Sequence, residues 1–143
     1  DMGASGIVIG ALTPMGDIDM RVCEQLVNKA YGMSITFHRA FDECRCPKQA
    51  LEEIISLGCH RLLTSGQAPT ADKGTYLLHQ LVEQANGRII ILPGCGINPD
   101  NAQMILRSTG AVELHGSLRR GNHTDSSIVH STLVNMQNYV HSL

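Results

Sequence analysis

The chain has 143 residues, with 11 Lys and Arg against 13 Asp and Glu and a formal net charge of −2. Near-neutral charge argues against a general polyanion binder, and two Phe, three Tyr and no Trp leave little for stacking on nucleic-acid bases. At 43% hydrophobic the sequence is no disordered chain, and no apolar run approaches the ~18 residues of a membrane span. It reads as one soluble domain, residues 1–143, with neither nucleic acid nor membrane as partner. Residues 1–6 carry no basic, apolar signal-peptide pattern. Five cysteines, Cys23, Cys44, Cys46, Cys59 and Cys95, form an odd set, which predicts free thiols and a cytoplasmic location.

Short β-branched runs alternate with stretches of helical period. Residues 7–9 run into Gly10, 35–37 into His38, 61–63 into Thr64, Ser65 and Gly66, 89–92 into Pro93 and Gly94, and 112–114 into His115, Gly116 and Ser117. The starts lie roughly 23 to 28 residues apart, the length of a βα unit, and the runs read as parallel strands covered on both faces.

Between them, Ile18, Val22, Leu26 and Ala30 keep helical spacing behind an Asp17 cap, and Leu51, Ile54, Ile55 and Leu57 do so after Pro47. Leu77, Leu78, Leu81 and Val82 mark a third helix, ended by Asn86 and Gly87. Asn98 and Pro99 open a fourth, as cap and first helical residue. Gly58, Gly87 and Gly110 each fall where a left-handed residue closes a helix. Residues 119–125 read as a polar loop, and 126–143 as a final amphipathic helix.

Five βα units fit either an open flavodoxin-like sheet or part of a (β/α)₈ barrel, and periodicity does not separate them. In both, the strand C-termini form the functional face, and there the polar and special residues gather. His38 and Arg39 can supply an acid, a base or an anion clamp, the alternative being a satisfied buried imidazole beside an Arg39 paired with Asp42 or Glu43. Ser65 offers a hydroxyl, or a local cap. Gly94 and Gly96 precede a helix and place exposed N–H groups where a phosphate or carboxylate fits, with His115, Gly116 and Ser117 on the next strand. The catalytic candidates are His38, Arg39, Ser65 and His115; the anion-binding candidates are Gly94, Gly96, Gly116 and Ser117. Cys44 and Cys46, one residue apart, are the metal candidates, with thiolates suited to Cu(I), though Cys46 also fits a cap position before Pro47. Cys23 and Cys59 read as core, and His60, His79, His130 and His141 as surface.

At these same residues the chain resembles the CutC family of copper homeostasis proteins. The matching runs are GIVIGAL at 6–12, TFHRAFD at 36–42, RLLTSGQ at 61–67, GRIIILPG at 87–94 and ELHGS at 113–117. The resemblance implies an α/β fold built of the parallel (β/α) units of a TIM (β/α)₈ barrel. About five of eight units are present, and the N-terminal ones are lacking. It also implies Cu(I) binding or handling in the cytoplasm and a homo-oligomer. Cys95 stands where the family usually has Gly, and Cys46 where it has Asp or Asn. Two functions therefore stand side by side. One is copper handling, with copper as cofactor. The other is a barrel enzyme for a small anionic or phosphorylated ligand, with His38 or His115 as acid or base and Arg39 plus residues 94–96 holding the anion.

Overall fold

The computed structural model describes residues 3–30 and 32–140. Four parallel strands, β1 (Gly6–Ile9), β2 (Ser34–Phe37), β3 (Arg61–Thr64) and β4 (Ile90–Pro93), pair in chain order. Ile9 stands opposite Phe37, Phe37 opposite Leu62, and Leu62 opposite Ile91. Helices α1 (Met20–Lys29), α2 (Pro47–Ser56) and α3 (Thr75–Ala85) connect them, and α4 (Ala102–Thr109) follows β4. A doubly wound sheet reverses strand order at a switch point; this one does not, which is the order of a (β/α) barrel. The two architectures left open by periodicity are thereby separated.

The expected fifth strand at 112–114 does not form. Only His115 reaches the sheet, as a parallel bridge to Gly94 with its N–H donating to the Pro93 carbonyl at 2.9 Å. Coverage of both sheet faces is also not observed. Ile9, Ile35, Phe37, Leu62 and Ile91 are buried against Cys23, Leu51, Ile54, Leu78, Leu81 and Ile105 of the helices. Each such side chain contributes about 1.5–3 kcal/mol of transfer free energy. On the opposite face Val8 is 64% exposed, and Thr36, Arg61 and Ile90 lie in register with it. There Arg61 donates to both Glu113 oxygens (2.7 and 3.0 Å) and to Ser34 Oγ (3.2 Å).

The cap of α1 is Asp19, not Asp17: its carboxylate accepts from Val22 N at 3.0 Å, while Asp17 accepts from the Arg45 guanidinium at 2.7 and 3.1 Å. Pro47 opens α2 as expected, with Cys46 at the cap making no side-chain bond. Asn86 (φ 45°) and Gly87 (φ 74°) close α3, and Gly110 (φ 74°) closes α4. Helix α4 starts later than Asn98 and Pro99 suggest, because Asn98 Oδ1 accepts from the N–H groups of Asp100 and Asn101 and folds a turn first. Residues 119–125 are not simply a loop; β5 (Arg119–Arg120) and β6 (His123–Thr124) pair as an exposed antiparallel hairpin. The final helix, α5, spans Ser126–Val140, and the rest of the expected 126–143 segment, with His141, lies outside the described residues.

Candidate functional site

Past β2 the chain enters a 3-10 turn, Arg39–Glu43, with His38 at its cap. Burial of Phe41 pins the turn to the core and aims Asp42 at the end of β3. The Asp42 side chain is 6% exposed. It accepts from Thr64 Oγ1, from the N–H groups of Ser65 (3.1 Å) and Gln67 (3.2 Å), from Ser65 Oγ (3.0 Å) and from Arg39 Nε (2.7 Å). A buried carboxylate requires such a set of donors, and here it has five. Arg39 Nη2 also donates to Ser65 Oγ at 3.2 Å, and the Asp42 hydrogen bond above all raises the Arg39 pKa. The pairing of Arg39 with Asp42 is thus present, and it orients a guanidinium whose side chain remains 43% exposed.

That guanidinium borders a cavity of about 690 Å³ at the strand C-termini. Cys95, Gly96, Ile97, His115, Gly116 and Ser117 line it too, with Arg119 from the hairpin. Among the described residues, the N–H groups of Gly96, Ile97, Gly116 and Ser117 donate to no protein acceptor. That of Gly94 is taken by the Thr64 carbonyl at 3.0 Å, and a Cβ at 94 would lie 2.5 Å from Leu63 Cδ1. Gly94 therefore packs, while Gly96, Gly116 and Ser117 present donors. Thr70 lies against Gly96 with its Oγ1 buried and unpartnered among the described residues. Unpaired N–H groups beside a fixed guanidinium are the chemistry of an anion site.

His38 and Ser65 sit differently. Ser65 is fully buried, and its one hydroxyl proton is shared between the Asp42 carboxylate (3.0 Å) and the Ala68 carbonyl (2.6 Å), which fastens the loop after β3 to the buried acid. The His38 ring accepts from Ala40 N at Nδ1 (3.0 Å) and stacks over Gly10. His115 is exposed at the cavity edge. Cys44 is buried, its thiol pushed up to about 11 by burial, and its Sγ accepts from Gln67 Nε2 at 3.4 Å; Cys46 is exposed. No group of three or more His, Cys, Asp or Glu among the described residues is placed to hold a metal ion. His60 does more than coat the surface, since its Nδ1 accepts from Ile35 N at 3.0 Å. Sequence reading missed Asp42, Gln67 and Arg119 as site residues. The Asp within TFHRAFD and the Gln within RLLTSGQ were the available signals for the first two; nothing local marks Arg119.

A parallel sheet of chain-ordered βα units with its donors gathered at the strand C-termini defines part of a (β/α) barrel. Comparison with known proteins places it more closely. The model of the CutC family matches residues 1–120, and the chain belongs to that family. A CutC protein of Pasteurella multocida is 55% identical over 114 residues, covering 80% of this chain and 47% of the relative. One from Bacteroides thetaiotaomicron is 52% identical over 124 residues, covering 87% and 50%. The chain thus spans about half the length of the curated relatives it matches. Among solved structures, one titled as a copper homeostasis protein CutC from Streptococcus agalactiae superposes with a TM-score of 0.77 at 30% identity, over 86% of this chain and 58% of that one. A second, titled a native KDPGal structure, gives 0.69 at 17% identity over 98% and 62%, a likeness of fold alone.

Proposed function

We propose that this chain forms the anion-binding end of a (β/α)-barrel site for a small anionic or phosphorylated ligand. The observation that carries the reading is that Arg39, His115 and the unpaired N–H groups of Gly96, Ile97, Gly116 and Ser117 border one cavity. Arg39 clamps the anion, the backbone donors complete its coordination, and His115, exposed beside it, is the acid or base. Calorimetric titration with inorganic phosphate tests this. The expected result is saturable binding that weakens roughly tenfold or more in Arg39→Ala, the cost of one charged hydrogen-bonding partner. Equal binding in both proteins contradicts the reading.

The copper reading has its own support: the name carried by the Streptococcus agalactiae structure, and two thiols one residue apart at Cys44 and Cys46. A Cu(I) ion bridging them requires Cys44 to leave its buried, protonated state. Titrating the reduced protein with Cu(I) against a competing chelator decides it: a site lost in Cys44→Ser/Cys46→Ser supports copper handling, and an unchanged titration removes it. Cytoplasmic location accords with five free thiols, and no helix among the described residues is long and apolar enough to cross a membrane.

A further inference from the structure

His38 is not itself among the residues lining the cavity, but it adjoins two that are, Arg39 in sequence and Leu63 in register. Its Nδ1 accepts the Ala40 N–H at 3.0 Å, so in the neutral ring the proton resides on Nε2. Ile9 pairs with Phe37, which sets Gly10 next to His38 in register. The absent side chain at 10 is what admits the ring: a Cβ there would lie 2.6 Å from Cε1, 2.7 Å from Nδ1 and 3.0 Å from Nε2. Phe37 pairs in turn with Leu62, which places Leu63, part of the cavity wall, on the other side of His38. Arg39, the next residue, borders the same cavity.

We propose that His38 is a fixed hydrogen-bond donor through Nε2, and that the ligand of this barrel end carries a second oxygen acceptor, a carboxylate or carbonyl, beyond the anion held by Arg39. The inference rests on the anion-site reading above. The Ala40 bond removes Nδ1 from proton transfer, and Nε2, already protonated, offers a hydrogen bond rather than a base. Proton transfer at this end then falls to His115. The ligand class is a small molecule with a phosphate at one end and an oxygen acceptor a few bonds away.

Three measurements test it. Long-range nitrogen–proton NMR of the imidazoles at neutral pH is expected to show His38 protonated at Nε2 and bare at Nδ1; the opposite tautomer overturns the inference. Calorimetry compares inorganic phosphate with phosphoglycolate, which adds a carboxylate. Phosphoglycolate is expected to bind roughly tenfold tighter, the contribution of one hydrogen bond to a charged group. In His38→Asn, whose side-chain oxygen still caps the Ala40 N–H, the two ligands are expected to bind within about twofold of each other. An advantage that survives in His38→Asn, or none in the unmodified protein, overturns the role of His38 while leaving the anion site standing. Absence of phosphate binding altogether removes the anion site and this inference together.

Discussion

Arg39 and Asp42 lie three residues apart on one 3-10 turn, joined by a 2.7 Å bond from Nε to Oδ2, one partner facing the cavity and the other buried beneath it. As an ion pair this contact is worth little, because Arg39 is 43% exposed. The weight rests on the other side of the carboxylate, where Thr64 and Ser65 are fully buried and both donate to it. Asp42→Ala leaves those donors without a partner and is expected to cost about 2–4 kcal/mol in urea unfolding. A loss below about 1 kcal/mol would show that the loop after β3 is anchored elsewhere.

Gly74 carries a sharper steric prediction. A Cβ there would lie 1.8 Å from the Ser65 carbonyl oxygen and 3.1 Å from Gly66 Cα, so backbone meets backbone with no side chain free to yield. Gly74→Ala is expected to destabilise by about 3 kcal/mol or more, because the loop over 65–74 must shift as a unit. Unchanged thermal unfolding contradicts this packing.

How much of this was legible in the sequence follows from what each feature depends on. Helices α1 to α4 showed through apolar spacing, and Pro47, Asn86 and Gly110 marked boundaries because caps and breakers act locally. Asp17 and Asp19 both suit a cap, but the Leu12–Ile18 bridge and the Thr13 N–H bond to the Asp17 carbonyl hold residues 17 and 18 out of the helix, and Arg45 takes the Asp17 carboxylate. The 112–114 run has the apolar content of a strand, yet Val112 is 76% exposed and only His115 finds a partner, at Gly94. Strand propensity does not supply the neighbouring edge. At the site, the clustering of His38, Arg39, Gly96 and His115 at strand ends was readable, because βα polarity is fixed by the order of elements. The commitment of Ser65 to Asp42 and of the Gly94 N–H to Thr64 depends on three-dimensional register, which periodicity does not carry.

Cys95 occupies a left-handed conformation, φ 82°, which favours glycine, and its thiol donates to the Pro69 carbonyl at 3.3 Å. Cys95→Gly removes backbone strain and one weak hydrogen bond, and adds freedom to the unfolded chain. The net expectation is a stabilisation of up to about 1 kcal/mol, read as a higher denaturant midpoint. A clear fall in that midpoint would mean the thiol bond outweighs the strain.

Burial pushes the thiols of Cys44 and Cys59 up from near 9 to about 11. Raised folded-state values mean that the stability tied to these groups is fully present below about pH 9. It is lost as pH rises from there to about 11, because the unfolded thiols ionise first. Each thiol contributes at most about 1.4 kcal/mol per pH unit in that window. Cys59→Ala is expected to flatten the decline relative to the unmodified protein; parallel curves contradict it. In the same experiment Cys46, which is exposed, is expected to react with a thiol reagent well before Cys44.

The central claim is that the strand C-termini hold an anion, and amide NMR during a phosphate titration tests it most directly. The account predicts saturable shifts concentrated on the N–H groups of Gly96, Ile97, Gly116 and Ser117, with the Arg39 side chain moving at the same concentrations. Shifts scattered over the surface, or none at these four amides at saturating phosphate, would contradict it.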